Sequence, residues 1–190
     1  MRLLATLLLA LLAIAARPAP AATVSVQAER RGDTVDIRAS AVLNADVATA
    51  WRVLTDYDGY ARFVPDLTVS RVVARRGATV TVEQSGNARL WWLRIPLDIT
   101  FEISESPPQV LQSRAVAGSM RSLESRYVLT PTSSGARLDY TGRVAPGFEL
   151  FGQIEEYAVR QNIARQFQAL ADEIERSAAA AGRPRATGTR

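Results

Sequence analysis

The 190-residue chain contains no cysteine, no histidine and no lysine. Each absence removes chemistry. Without thiols there are no disulfides, no thiolate nucleophiles and no redox pairs. Without imidazole, Ser-His-Asp and Cys-His systems lack their base, and zinc sites built from imidazole and thiolate cannot form. Any catalysis would rest on Asp, Glu, Tyr, Ser or Arg. All 23 basic residues are therefore arginine, against 19 acids, and the alkaline isoelectric point reflects the lack of any base that titrates below arginine. A formal charge of +4 without a clustered basic stretch gives no electrostatic case for nucleic acid.

The N-terminus is organised in three parts: Arg2, an uncharged and mostly apolar run from Leu3 to Ala16, and a stretch ending in Ala19-Pro20-Ala21. This is the layout of a secretory signal peptide. Its apolar run falls short of the roughly 20 residues that a membrane-spanning helix needs. The expectation is cleavage after Ala21, giving a periplasmic or otherwise exported protein. Loss of Arg2 and Arg17 would bring the charge to +2, from 21 arginines against 19 acids. With no cysteine, a lipid anchor of the bacterial lipoprotein kind is excluded, and an exported chain of this composition is held by its core alone.

Beyond the leader, TVDIRASAVL (residues 34 to 43) alternates apolar and polar positions as a half-buried strand does, and Val24 to Ala28 can pair with it across a turn at Gly32-Asp33. Asn44 is the expected N-cap of a short amphipathic helix, ADVATAWRVL. The segment TDYDGYARFVPDL (residues 55 to 67) then reads as a second short helix or turn broken at Pro65. From Leu67 to Val144 the period is two, with Gly, Pro, Asn and Ser at each connection, which predicts an antiparallel meander. Its clearest strand places Trp91, Leu93, Ile95, Leu97, Ile99, Phe101 and Ile103 on one face. Burying seven such side chains contributes on the order of 10 to 20 kcal/mol before conformational entropy is subtracted. The opposite face carries Arg94, Asp98 and Glu102, as neighbouring strands carry Arg126, Arg137, Asp139 and Arg143, with Trp92 the apolar exception.

The cover for the apolar face follows Pro146-Gly147. From Phe148 to about Arg176 there is no proline, and Phe151, Ile154, Ala158, Val159, Ile163, Phe167, Leu170 and Ile174 trace one helical stripe, with Glu155, Arg160, Arg165, Asp172 and Glu175 away from it. The pattern predicts one domain over 22–176 and a disordered tail over 177–190.

This order of elements resembles the START-like (SRPBCC) superfamily. The run AWRVLTDYDGYARFVPDLTVSRVV is similar to the corresponding segment of its polyketide cyclase/dehydrase and coenzyme Q-binding group, matching at Asp56, Tyr57, Tyr60, Phe63 and Pro65. The resemblance implies an α+β helix-grip fold: a curved antiparallel sheet of about seven strands wrapped around a long C-terminal helix, two short helices after the first strand, and an apolar cavity between sheet and helix. The export signal departs from the mitochondrial and cytoplasmic settings of the best-known relatives.

The leading functional expectation is a monomeric binder or carrier of a hydrophobic small molecule, a lipid, isoprenoid or quinone. It would need no cofactor, metal or nucleic acid, and would touch a membrane surface transiently to collect its ligand. The candidate ligand-binding residues are Tyr57, Tyr60 and Phe63 in the aromatic segment, Val82 and Gln84 on one strand, Trp91, Leu93, Ile95 and Phe101 on the next, Tyr127 and Tyr140 further along, and Phe151, Ile154 and Ala158 on the helix. Within the segment, Phe63 and Pro65 are expected to anchor the chain while Tyr57 and Tyr60 border the cavity entrance, their hydroxyls in water. A cyclase or dehydratase acting on a polyketide-like substrate, and a ligand-free interaction module, are the alternatives. The first needs an inward acid or base, for which only Tyr127, Tyr140 and Gln84 have the right strand phase.

Overall fold

Gly32, at φ 65°, turns the chain from β1 (Thr23–Arg31) into β2 (Thr34–Leu43), and the flanking residues Arg31 and Thr34 pair directly. Left-handed backbone of this kind is costly for any side-chain-bearing residue. The computed structural model describes residues 22–90, 92–147 and 153–182. After β2 come α1 (Val47–Leu54) and a 3₁₀ turn (Tyr57–Arg62). The meander follows as β3 (Leu67–Arg76), β4 (Thr79–Leu90), β5 (Leu93–Ser106), β6 (Val110–Gly118), β7 (Met120–Thr132) and β8 (Gly135–Pro146), and α2 (Gln153–Ala181) ends the fold.

The helix ends differ from the sequence reading. The N-cap of α1 is Asp46, whose Oδ1 accepts from the Thr49 amide at 2.6 Å. Asn44 still belongs to the exit from β2, and its amide donates to Glu175 Oε1 on α2. At the other end, α2 runs past Arg176 to Ala181, and Ala178 packs on the core, so the helix takes in residues expected to belong to the tail. An alanine run favours helix intrinsically, and here it also has a surface to cover.

The eight strands form one sheet in the order β1-β2-β8-β7-β6-β5-β4-β3. β1 is a full member of it, one strand beyond the expected number. Each meander strand pairs with its successor, and β8 closes against β2. Register shifts at Thr100/Phe101, Val72/Ala74 and Met120/Ser122 are the kind of irregularity that bends a sheet. α2 lies across β1, β2 and β4 and against α1.

The sheet's inner face and α2 divide into two regions. Phe167, Leu170, Ala171 and Ile174 of the C-terminal half of α2 belong to one buried cluster with Leu43, Leu54, Leu129 and Leu138, all fully or almost fully buried. Ala158, Val159 and Ile163, nearer the helix start, face open space. The outer face is a lattice of ion pairs: Arg143 with Asp36 at 2.7 Å, Arg71 with Glu83 at 2.6 Å, Arg137 with Asp139 at 2.9 Å, and Arg114 with Glu102. Exposed pairs of this sort contribute roughly 0–1 kcal/mol each. Among the described residues no helix is long and apolar enough to cross a membrane.

Candidate functional site

The open space under the N-terminal half of α2 is a cavity of about 190 Å³. An apolar cavity of ~150 Å³ is enough to hold benzene. Its floor is the inner face of β5, with Ile95, Leu97, Ile99 and Phe101 at alternate positions, as the period of a strand dictates. Met120, Leu123 and Val144 form a second apolar wall and Ala158, Val159 and Ile163 the roof. Small residues make room around Tyr140: a Cβ on Gly142 would lie 2.5 Å from its hydroxyl.

Of the sequence-predicted residues, Gln84, Ile95, Phe101, Tyr140 and Ala158 line the cavity. Tyr127 stands beside Tyr140, ring centroids 4.8 Å apart, on the packed side, and Phe167 flanks Tyr140 at 6.3 Å. Val82 is fully buried core rather than cavity wall. Leu93, in phase with the floor residues, is 48% exposed at the start of β5, outside the cavity. Trp91 and Phe151 lie outside the described residues, as does the side chain of Ile154.

The aromatic segment is a packed corner, which corrects the expected placement of its tyrosines. Tyr57 is buried, and its hydroxyl donates to Glu105 Oε1 at 2.9 Å instead of meeting water. Tyr60 donates to the Leu54 carbonyl at 2.7 Å, and its ring meets Tyr57 at 6.0 Å and Phe63 at 5.5 Å. None of the three lines the cavity. The corner reaches it through a relay: the Tyr57 carbonyl accepts from Ser70 Oγ at 2.6 Å, and Ser70 Oγ accepts from Gln84 Nε2 at 3.1 Å. Gln84 is thereby held in the cavity wall.

The rim carries a polar cluster that strand and helix periodicity do not reveal. Asp66 Oδ1 accepts from Arg89 at 2.8 Å and Oδ2 from Arg165 at 3.2 Å. Asn162 Oδ1 accepts from the Arg89 amide at 3.0 Å and from Arg165 at 2.7 Å, while Nδ2 donates to the Arg89 carbonyl. Arg165, which the helical stripe places away from the sheet, folds back to it. Asp66 is the one described residue other than glycine with positive φ, at 63°, and its carbonyl approaches β4 so closely that a Cβ on Gly86 would lie 2.4 Å from it. The signals available were an Asp after Pro65 and an Asn inside the helix's apolar stripe, both ordinary in turns and on helix flanks.

Among the described residues the titratable groups lining the cavity are Asp66, Arg89, Tyr140 and Arg143. The guanidinium of Arg143 is on the outer face, paired with Asp36. Burial pushes the Tyr140 hydroxyl up to about 12, against the opposing effect of a hydrogen bond with Ser125. Tyr140 is therefore a neutral hydrogen-bond donor at physiological pH. Burial also raises Tyr127, Tyr60 and Tyr57, the last helped by its bond to Glu105. No group of three or more acids that could hold a metal ion occurs among the described residues.

The family model described as "Polyketide cyclase / dehydrase and lipid transport" matches residues 34–175. The chain belongs to this family. As a member of the polyketide cyclase/dehydrase and lipid transport family it has START-type structural neighbours. A STAR-related lipid transfer protein fragment from Xanthomonas axonopodis superposes with a TM-score of 0.68 at 16% identity, over 84% of this chain and 96% of that one. The Zhui aromatase/cyclase from Streptomyces sp. R1128 gives 0.63 at 16%, over 84% and 99%. A protein from Thermus thermophilus gives 0.65 at 18%, over 78% and 99%. At these identities the likeness establishes the START-like helix-grip fold. No curated protein sequence matches the chain.

Proposed function

We propose that the protein is an exported binder or carrier of a hydrophobic small molecule, lipid, isoprenoid or quinone-like, held between β5 and the first half of α2. The observation that carries this reading is the cavity itself, apolar on floor, wall and roof, with Gln84 and Tyr140 as sparse polar groups that can orient a guest. Proton transfer is poorly served there. Tyr140 is far too weak an acid to act as a base near neutrality, and both carboxylate oxygens of Asp66 are occupied by guanidinium groups. The family's breadth, cyclases beside lipid transport, keeps a polyketide-type substrate within the same cavity as the competing reading.

Export is part of the proposal and rests on the N-terminal pattern of Arg2, the apolar run and Ala19-Pro20-Ala21. Mature protein from a bacterial periplasm should begin at Ala22 or Thr23. Organic extraction of that protein followed by mass spectrometry tests the carrier function. An apolar compound in near-stoichiometric yield is the expected result. Recovery of full-length chain in the cytoplasm overturns export, and turnover of a polyketide-like substrate overturns the non-catalytic reading.

A further inference from the structure

The rim cluster is oddly balanced. Two guanidinium groups, Arg89 and Arg165, share the single carboxylate of Asp66, which leaves one positive charge uncompensated. Asn162, the other member, is a neutral amide. Both arginines also carry a buried Nε–H with no hydrogen-bond partner. A buried donor without an acceptor is destabilising, and charged donors more so. Structural clamps normally satisfy such groups.

The place of the cluster gives this imbalance a use. Asp66, Arg89 and Asn162 all line the cavity, while the side chains of Arg89 and Arg165 remain 41% and 37% exposed. Arg89 thus stands at the boundary between water and an apolar interior, and Arg165 is bonded to the lining residues Asp66 and Asn162. A guest with an apolar body inside would bring its end group to the two arginines. We propose that the cavity selects a carboxylate-ended amphiphile, a single-chain or ring-bearing acid, whose carboxylate is received by Arg89 and Arg165. The inference rests on the cavity-binding reading and adds the chemical class of the ligand. A planar guanidinium fork suits a carboxylate, and a volume of about 190 Å³ suits one chain or a small ring system better than a two-tailed lipid. Asp66 is then the internal stand-in for the ligand's acid group, holding the arginines in position while the site is empty.

The test uses the purified chain and a neutral fluorescent guest, N-phenyl-1-naphthylamine, displaced by decanoate or by methyl decanoate. Decanoate should displace the probe at least tenfold more effectively than its ester. Arg89→Gln and Arg165→Gln should each reduce that preference several-fold, the loss falling on displacement by the acid more than on displacement by the ester. Asp66→Asn guards against misfolding as the explanation, because asparagine is nearly isosteric and tolerates positive φ. By removing the competing carboxylate it should raise the preference for the acid. Equal displacement by acid and ester, or a preference that survives both arginine substitutions or falls in Asp66→Asn, overturns the assignment while leaving the cavity-binding reading intact. Failure of the naphthylamine to bind at all overturns both.

Discussion

The side-chain amide of Asn162 bonds both backbone groups of Arg89, accepting from its N–H at 3.0 Å and donating to its carbonyl at 2.7 Å. This is the pair of bonds that a neighbouring strand would supply. β3 pairs with β4 only as far as Gly86, and the Asp66 carbonyl accepts from the Asn87 amide at 2.9 Å, so from Arg89 onward the edge of β4 has no strand beside it. The helix fills the gap with one side chain. It thereby fastens α2 to the sheet at the cavity rim.

Asn162→Ala should therefore cost about 1–3 kcal/mol, the range for leaving a partly buried polar group unpaired. The same change should speed ligand release, because the helix loses its tie to the β4–β5 hairpin. A denaturant midpoint and an off-rate for a bound fluorescent guest measure the two effects. Hydrogen exchange at the Arg89 amide adds a local readout. An unchanged exchange rate at that amide would show that the bond pair does not form in solution.

How much of this arrangement is legible in the sequence depends on the range of the interaction. The floor of the cavity follows from the period of two in β5, where alternation alone places Ile95 to Phe101 on one face, and Ala158 follows from the helical stripe. The corner is misread because a tyrosine's chemistry allows either a wet or a buried hydroxyl. The acceptors that decide it, Glu105 and the Leu54 carbonyl, depend on how the chain folds back. The rim cluster draws on the turn before β3, on β4 and on α2 at once, with partners 23 and 99 residues apart in sequence. No local pattern encodes such a meeting. Val82 shows the limit of phase: alternation turns it inward, but only the position of α2 determines whether an inward residue meets a guest or the core.

Stability should be flat across neutral pH and fall at both extremes. The chain has no histidine, cysteine or lysine side chain to titrate between about pH 5 and 9. Asp36 is held below its ordinary value chiefly by its hydrogen bond from Arg143, and Asp46 by the Thr49 amide. Their stabilisation is present above the unfolded carboxylate value near 3.9 and is lost as pH falls through the depressed folded values. The tyrosines are shifted the other way. A folded value raised above 10 means full stabilisation below pH 10 and loss as pH climbs toward about 12 for Tyr140, and further for the others. A melting temperature recorded from about pH 3 to 11.5 checks both limbs. A step between about pH 6 and 8 would reveal a strongly perturbed carboxylate and strengthen the enzymatic alternative.

The packed corner predicts similar losses for its two outer rings. Tyr60 and Phe63 are both half-buried and touch edge to face at 5.5 Å. Each alanine substitution should therefore cost somewhat less than the roughly 3–5 kcal/mol of a fully buried ring. Tyr60→Phe should cost about 0.5–1.5 kcal/mol, the worth of its bond to the Leu54 carbonyl. Ligand off-rates should be nearly unchanged in all three variants, since neither ring lines the cavity. Urea midpoints and one off-rate assay decide. A large kinetic effect from Tyr60→Ala with little loss of stability would restore the corner as an entrance.

If the chain collects its ligand from a membrane surface, as a carrier would, the β4–β5 hairpin is the point of contact that the exposed side chains favour. Trp92 is 88% exposed and Leu93 48%, next to strand segments whose inner residues Ala88 and Ile95 line the cavity. Arg89 and Arg94 pair across the hairpin on either side of that tip. Indole rings favour the membrane interface, and arginines beside them favour anionic headgroups. Transferring one large apolar side chain out of water contributes roughly 1.5–3 kcal/mol, so Trp92→Ser should weaken sedimentation with anionic vesicles about tenfold or more. Added salt should weaken the wild-type chain as well. Binding of a water-soluble guest should be untouched by the substitution, because Trp92 lies outside the cavity. If Trp92→Ser leaves vesicle binding unchanged, the chain collects its ligand from solution or by another surface, and the exposed tryptophan has no role in uptake.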